Sequence, residues 1–281
     1  MIMGPKFEML FMNGKTKALT LSYDDGTVHD RKLVELMNRY GIRGTFNLNS
    51  GTFSLKETIE KEGVKTDFSR IDADEVKELY QGHEVASHTW THPSLTELPS
   101  NMAAAEVIKD RELLEGLTGE IVRGFAYPYG IYNKEVEEVL KVCGIEYART
   151  VVSTNDFVIP GNFLEWHPTC HHDSPRLMEF IQDFCEKEGN GVRLFYLWGH
   201  SYEFAQNGNW QMIEEFFKYV SGYRDKIWMA TNLEIMDYVK AFSNLKWSMD
   251  GKTVYNPSGI RLWIKKDGQI YCIEGNEKLS F

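Results

Sequence analysis

The feature that most limits the fold is an alternation of strand-like and helix-like stretches running from residue 17 to residue 242. Residues 17–23 (KALTLSY) read as a strand, and residues 31–40 follow with apolar Leu33, Leu36 and Met37 on a helical period before a stop at Gly41. Strand-like stretches recur at 43–49, 83–87, 121–126, 147–151, 193–198 and 227–231. Helical ones recur at 72–80, 101–117, 134–142, 175–188, 210–220 and 233–242, while 153–173 shows no period. Strands alternating with helices imply parallel βαβ crossovers, and seven or eight such units suit a closed barrel better than an open sheet. The fold class is therefore α/β, a TIM-like (β/α) barrel of seven or eight strands over residues 1–242. From residue 243 the texture changes to short alternating runs with two Asp-Gly pairs, which predict a small C-terminal β extension of hairpins over 243–281.

Composition narrows the partners. Lys plus Arg number 31 against 41 Asp plus Glu, a net charge of -10 that disfavours a nucleic-acid partner. No apolar run approaches the roughly 18 residues of a membrane span. Lys6 and Glu8 interrupt the only apolar stretch near the start, so the chain as it stands is expected to be cytoplasmic, or exported if a leader was trimmed. Cys143, Cys170, Cys185 and Cys272 are scattered and read as free thiols. The oligomeric state is not legible.

In a barrel, chemistry sits where strands pass into βα loops. Asp24 and Asp25 follow the first strand and precede Gly26; they are either helix-capping and turn acids or a metal ligand beside a general base. His88 and His92 follow the third strand at i, i+4, a spacing that places two imidazoles on one side of a helical turn. With a carboxylate they suit Zn²⁺, and Co²⁺ or Ni²⁺ equally. His200 leaves the apolar strand RLFYLW and is a candidate general acid or a structural histidine. Pro128 and Gly130 in RGFAYPYG shape a tight loop that can aim a backbone N–H into the barrel mouth. The run Cys170-His171-His172-Asp173 invites a second metal site, but adjacent residues rarely present every side chain to one ion, and a second site is not expected.

SYDDG, SHTWTH, RGFAYPYG and LWGH, in this order, resemble the motifs of the NodB-type polysaccharide deacetylases, carbohydrate esterase family four. The resemblance implies a distorted (β/α) barrel, one divalent metal, and removal of acetyl groups from an N- or O-acetylated carbohydrate. It implies Asp24 as general base, Asp25, His88 and His92 as metal ligands, and His200 as general acid. The Tyr129 N–H would hold the oxyanion. Many members have an Arg two positions before the loop proline; here that position is Ala126, and Arg123 matches the outer Arg of the motif. Glu165-Trp166 stands where an Asp-Trp element would support the acid histidine, so Arg123 and Trp166 join Tyr129 as substrate-side residues. The expected partner is an acetylated glycan or oligosaccharide. Two other readings are a related barrel hydrolase acting on small amides and a catalytically silent carbohydrate-binding barrel. Asp25, His88 and His92 speak against the first, Asp24 and His200 against the second.

Overall fold

A computed structural model describes residues 7–281, so residues 1–6 of the expected barrel range lie outside the described residues. Eight parallel strands form one curled sheet: β1 (Lys17–Asp24), β2 (Thr45–Leu48), β3 (Glu84–Ser87), β4 (Gly124–Ala126), β5 (Tyr147–Arg149), β6 (Cys170–His171), β7 (Arg193–His200) and β8 (Ile227–Met229). Their order is β5-β4-β3-β2-β1-β7-β6, with β8 beside Lys17, Ala18 and Leu19. The two ends of this path are joined by the stretch between β5 and β6. Trp166 N donates to Ala148 O (3.0 Å), Thr150 N to Trp166 O (3.0 Å), and Thr169 N to Tyr196 O (2.8 Å). One irregular stretch thus completes the distorted barrel that the alternation predicts.

The period of two along each strand decides what enters the barrel. On β1, Leu19, Leu21 and Tyr23 join the apolar layer beneath the surrounding helices, whereas Thr20, Ser22 and Asp24 face inward. The same alternation on β2, β5 and β7 sends Asn47, Arg149, Tyr196 and His200 inward. The helices are α1 (Asp30–Tyr40), α2 (Val76–Leu79), α3 (Ser100–Thr118), α4 (Lys134–Val142), α5 (Leu177–Glu186), α6 (Ser201–Gln206), α7 (Trp210–Ser221) and α8 (Asn232–Ser243). The expected helix at 72–80 is shorter: a 3₁₀ turn over Ala73–Glu75 runs into α2, with Asp72 and Glu75 forming a capping box. A hairpin of Thr58–Lys61 with Val64–Asp67 and the short α6 were not evident from periodicity.

Trp166 corrects an expectation. Only 1% exposed, it packs edge-on to Tyr196 (4.9 Å) and Tyr147 (5.5 Å) inside the barrel, so it fills the core and does not face a substrate. Its place is forced by the barrel-closing bridge to Arg149, which turns the indole inward.

Residues beyond α8 form two small antiparallel sheets. One pairs Leu262–Lys266 with Gln269–Ile273 and takes Phe7–Leu10 as its other edge, so the expected boundary at residue 242 is crossed by a strand from the chain's start. Val254, Leu262, Ile264 and Ile273 share an apolar cluster with Ile235, Met236 and Tyr238 of α8. Tyr238 ties the layers together, donating its hydroxyl to Leu10 O (2.7 Å) and accepting from Trp263 N (2.9 Å).

Candidate active site

The inward-facing residues at the carboxyl ends of the strands converge. Asp24 ends β1, His88 follows β3, Arg149 ends β5 and His200 ends β7. Parallel register sets Asp24 beside Asn47 on one side and His200 on the other. The Asn47 amide donates to Asp24 Oδ1 (2.7 Å), and Arg149 donates to Asp24 Oδ2. Burial pushes the Asp24 carboxyl up, but Arg149, His88, His200 and Asn47 outweigh it and hold it below its ordinary value. Asp24 is therefore a buried carboxylate that stays ionised at neutral pH.

Asp25 turns the other way. Its φ of 78° is left-handed, as are those of Thr89 (68°), His92 (65°) and Tyr129 (59°), all in the loops above the strands. The i, i+4 histidines do not lie on a helical turn as expected. The loop instead coils tightly through Thr89 and His92, with Thr89 Oγ1 accepting from His92 N (3.0 Å), and Glu106 of α3 anchors it at Thr91 N (2.8 Å). This brings His88 Nε2 and His92 Nε2 to 3.1 Å from each other, and to 3.9 and 3.7 Å from Asp25 Oδ1.

The donor set suits a metal. His88 Nδ1 lies 2.7 Å from Ala126 O, which can only accept, so the proton is on Nδ1 and the Nε2 lone pair faces His92. Burial lowers both imidazoles, His92 to about 4, and keeps them neutral. Two neutral imidazole nitrogens and a carboxylate facing one point match the three-ligand pattern of Zn²⁺ sites that leave a position open.

His200 stands across Asp24 from this triangle, its Nε2 3.9 Å from Asp24 Oδ2. Its Nδ1 lies 3.2 Å from Glu203 Oε2 on α6. Burial alone would lower the ring, but Glu203, Asp25 and Asp24 carry it up to about 9. Tyr129, 62% exposed, stands at the rim with its ring 4.6 Å from His92. Its N–H lies in the first turn of the 3₁₀ segment Pro128–Gly130, where backbone donors lack partners within the segment.

Six expected residues thus meet: Asp24, Asp25, His88, His92, Tyr129 and His200. Arg123 does not join them. It precedes β4, at the opposite end of the barrel, and is held by Asp237 (2.9 Å) and Glu146 (3.2 Å). Arg149 takes the place beside Asp24 instead, delivered by the neighbouring strand at the position in register with Ala126. Glu165 pairs with Lys134 (2.7 Å), and Glu203 is the acid beside His200. Arg149, Glu203 and Asn47 were missed by sequence reasoning. An Arg at the exit of a strand, an acid three residues after a histidine, and an inward Asn between apolar neighbours were the available signals.

Residues 12–148 match the family model described as polysaccharide deacetylase. This segment is similar to a polysaccharide deacetylase domain. The matched segment includes Asp24, Asp25, His88, His92 and Tyr129, and ends one residue before Arg149. The chain is 28% identical over 143 residues to the peptidoglycan-N-acetylglucosamine deacetylase PgdA of Listeria monocytogenes, covering 50% of this chain and 27% of that protein. It is 25% identical over 138 residues to a chitin deacetylase of Pestalotiopsis, covering 49% of this chain and 42% of that protein. The chain therefore spans less than half the length of these curated relatives. In fold, the chain is similar to a Mycobacterium smegmatis protein assigned as a polysaccharide deacetylase, with a TM-score of 0.60 at 17% identity over 85% of this chain and 95% of that one.

Proposed function

We propose that the protein is a metal-dependent deacetylase acting on an acetylated glycan, with Asp24 as base and His200 as acid. The observation that carries this reading is the placement of the Arg149-bound Asp24 between the Asp25–His88–His92 triangle and His200. A divalent cation held by Asp25, His88 and His92, with Zn²⁺, Co²⁺ or Ni²⁺ all suited, would supply polarisation of the acetyl carbonyl and a more acidic water. Asp24 accepts a proton from the attacking water as its oxygen bonds to the acetyl carbon. The Tyr129 N–H donates to the carbonyl oxygen as negative charge grows there. His200 then gives its proton to the departing amine or alkoxide as the bond to the acetyl carbon breaks, leaving acetate and a free amino or hydroxyl group. The names of the Listeria and Pestalotiopsis relatives support an N-acetylated glucosamine polymer as the first substrate to try.

The test is acetate release from N-acetylated chito-oligosaccharides and acetylated xylan fragments, comparing chelator-stripped protein with protein restored by Zn²⁺ or Co²⁺. Release that returns with metal supports the reading, and the preferred substrate gives the linkage. Metal bound at the Asp25 site with no acetate released from either class overturns it.

A further inference from the structure

A second convergence of ligand atoms lies behind His200, away from the Asp25 triangle. β6 ends at His171, His172 and Asp173 follow, and Glu203 rises from the first turn of α6. Glu203 Oε2 is 3.2 Å from His171 Nε2 and 3.2 Å from His172 Nε2, and His172 Nε2 is 3.4 Å from Asp173 Oδ1. Ligands held about 2.0–2.1 Å from a tetrahedral cation sit roughly 3.3 Å from one another. These spacings are those of a ligand shell.

His172 decides between a shell and a hydrogen-bonded cluster. It is fully buried, and neither ring nitrogen makes a well-aligned hydrogen bond, although two carboxylates lie within 3.4 Å of Nε2. A buried imidazole held by poorly aligned contacts is costly, and one aimed at two carboxylates is explained by a cation that all three share. The ring is also clamped. Phe204 stacks on it at 4.1 Å, Tyr23 stacks at 5.8 Å, and Gly199 leaves it room, since any Cβ there would overlap the imidazole. Asn207 holds the far oxygen of Asp173 (3.2 Å), leaving Oδ1 for the site. Cys170 is not part of the group; burial pushes its thiol up to about 12.

We propose that His172, Asp173 and Glu203, completed by His171, form a second divalent-cation site beside His200. Imidazole donors favour a cation of the Zn²⁺, Co²⁺ or Ni²⁺ class over Mg²⁺ or Ca²⁺. His171 is the weakest of the four. Asp173 N donates to its Nδ1 (3.1 Å), which leaves the proton of a neutral ring on Nε2, so ligation must break that contact. The site does not rest on the deacetylase reading, because metal binding is read without substrate.

Chelator-stripped wild type, Asp25→Ala, Asp173→Ala and the double variant are titrated with Zn²⁺ calorimetrically. Bound metal is then counted by mass spectrometry after desalting. Asp173 is 38% exposed and its variant should keep the wild-type circular dichroism, which is checked in each case. Two equivalents are expected in wild type, one in each single variant and none in the double. His171→Ala should retain the second equivalent with affinity weakened tenfold or more. A single wild-type equivalent abolished by Asp25→Ala, or two equivalents persisting in Asp173→Ala, overturns the second site. One equivalent that survives Asp25→Ala but is lost in Asp173→Ala keeps this site and instead overturns the ligand set of the proposed deacetylase.

Discussion

Arg149 and Asp24 are both out of water, so removing one leaves the other stranded. Arg149→Met is expected to cost about 3–5 kcal/mol in urea unfolding, the usual range for breaking a buried ion pair. In the variant the Asp24 carboxyl loses the guanidinium that opposes burial, so the acid limb of the pH–activity profile should move to higher pH. Glu203→Gln tests the other partner. Without that charge His200 gives up its proton more easily, so the basic limb should move to lower pH, with kcat falling and KM unchanged. The same group carries a stability signature. Its value of about 9 lies above the ordinary imidazole value of 6.5, so its contribution is full below 6.5 and lost as pH rises through 9. Asp30 adds to that loss lower down. Burial raises it to about 7 despite bonds from Ser201 and Tyr80, so stability falls as pH rises through 7. Asp30→Asn should flatten this part of a thermal-unfolding pH series.

At the scale of elements, β7 carries two demands at once. His200 must face inward at its end, and Gly199 just before it must leave room for His172. Gly199→Ala should therefore destabilise by about 1–3 kcal/mol in urea unfolding through overpacking, without touching Asp24 or Asp25. The strands and long helices were legible because each has a strong apolar period: β1, α4 and α7 begin at the residues where the pattern begins. The Asp-Asp pair, the two loop histidines and His200 were legible as residue types at strand exits. The histidine loop's shape was not, because left-handed Thr89 and His92 leave no periodic trace. β6 is two residues long and hidden in an irregular stretch, which concealed how His171 and His172 reach the site. Arg149 was passed over because its partner is 125 residues away, and only the register of β4 and β5 shows it standing where Ala126 leaves a gap.

At the scale of the whole molecule, the tail shares its apolar cluster with α8 rather than enclosing one of its own. Ile264→Ala, at a fully buried position, should cost about 2–5 kcal/mol and lower the single unfolding transition of the whole chain. Two separate transitions, with only the smaller one shifted, would show the tail to be an independent unit. The pairing of Phe7–Leu10 with Leu262–Lys266 also sets a timetable. During synthesis the early strand emerges long before its partner exists, and at about 5–20 residues per second the wait is on the order of 10–50 s. Until the last hairpin leaves the ribosome, an edge strand with open backbone groups is exposed to any other nascent chain nearby. Slowing translation should therefore lower soluble yield, and a chaperone that shields strand edges should restore it.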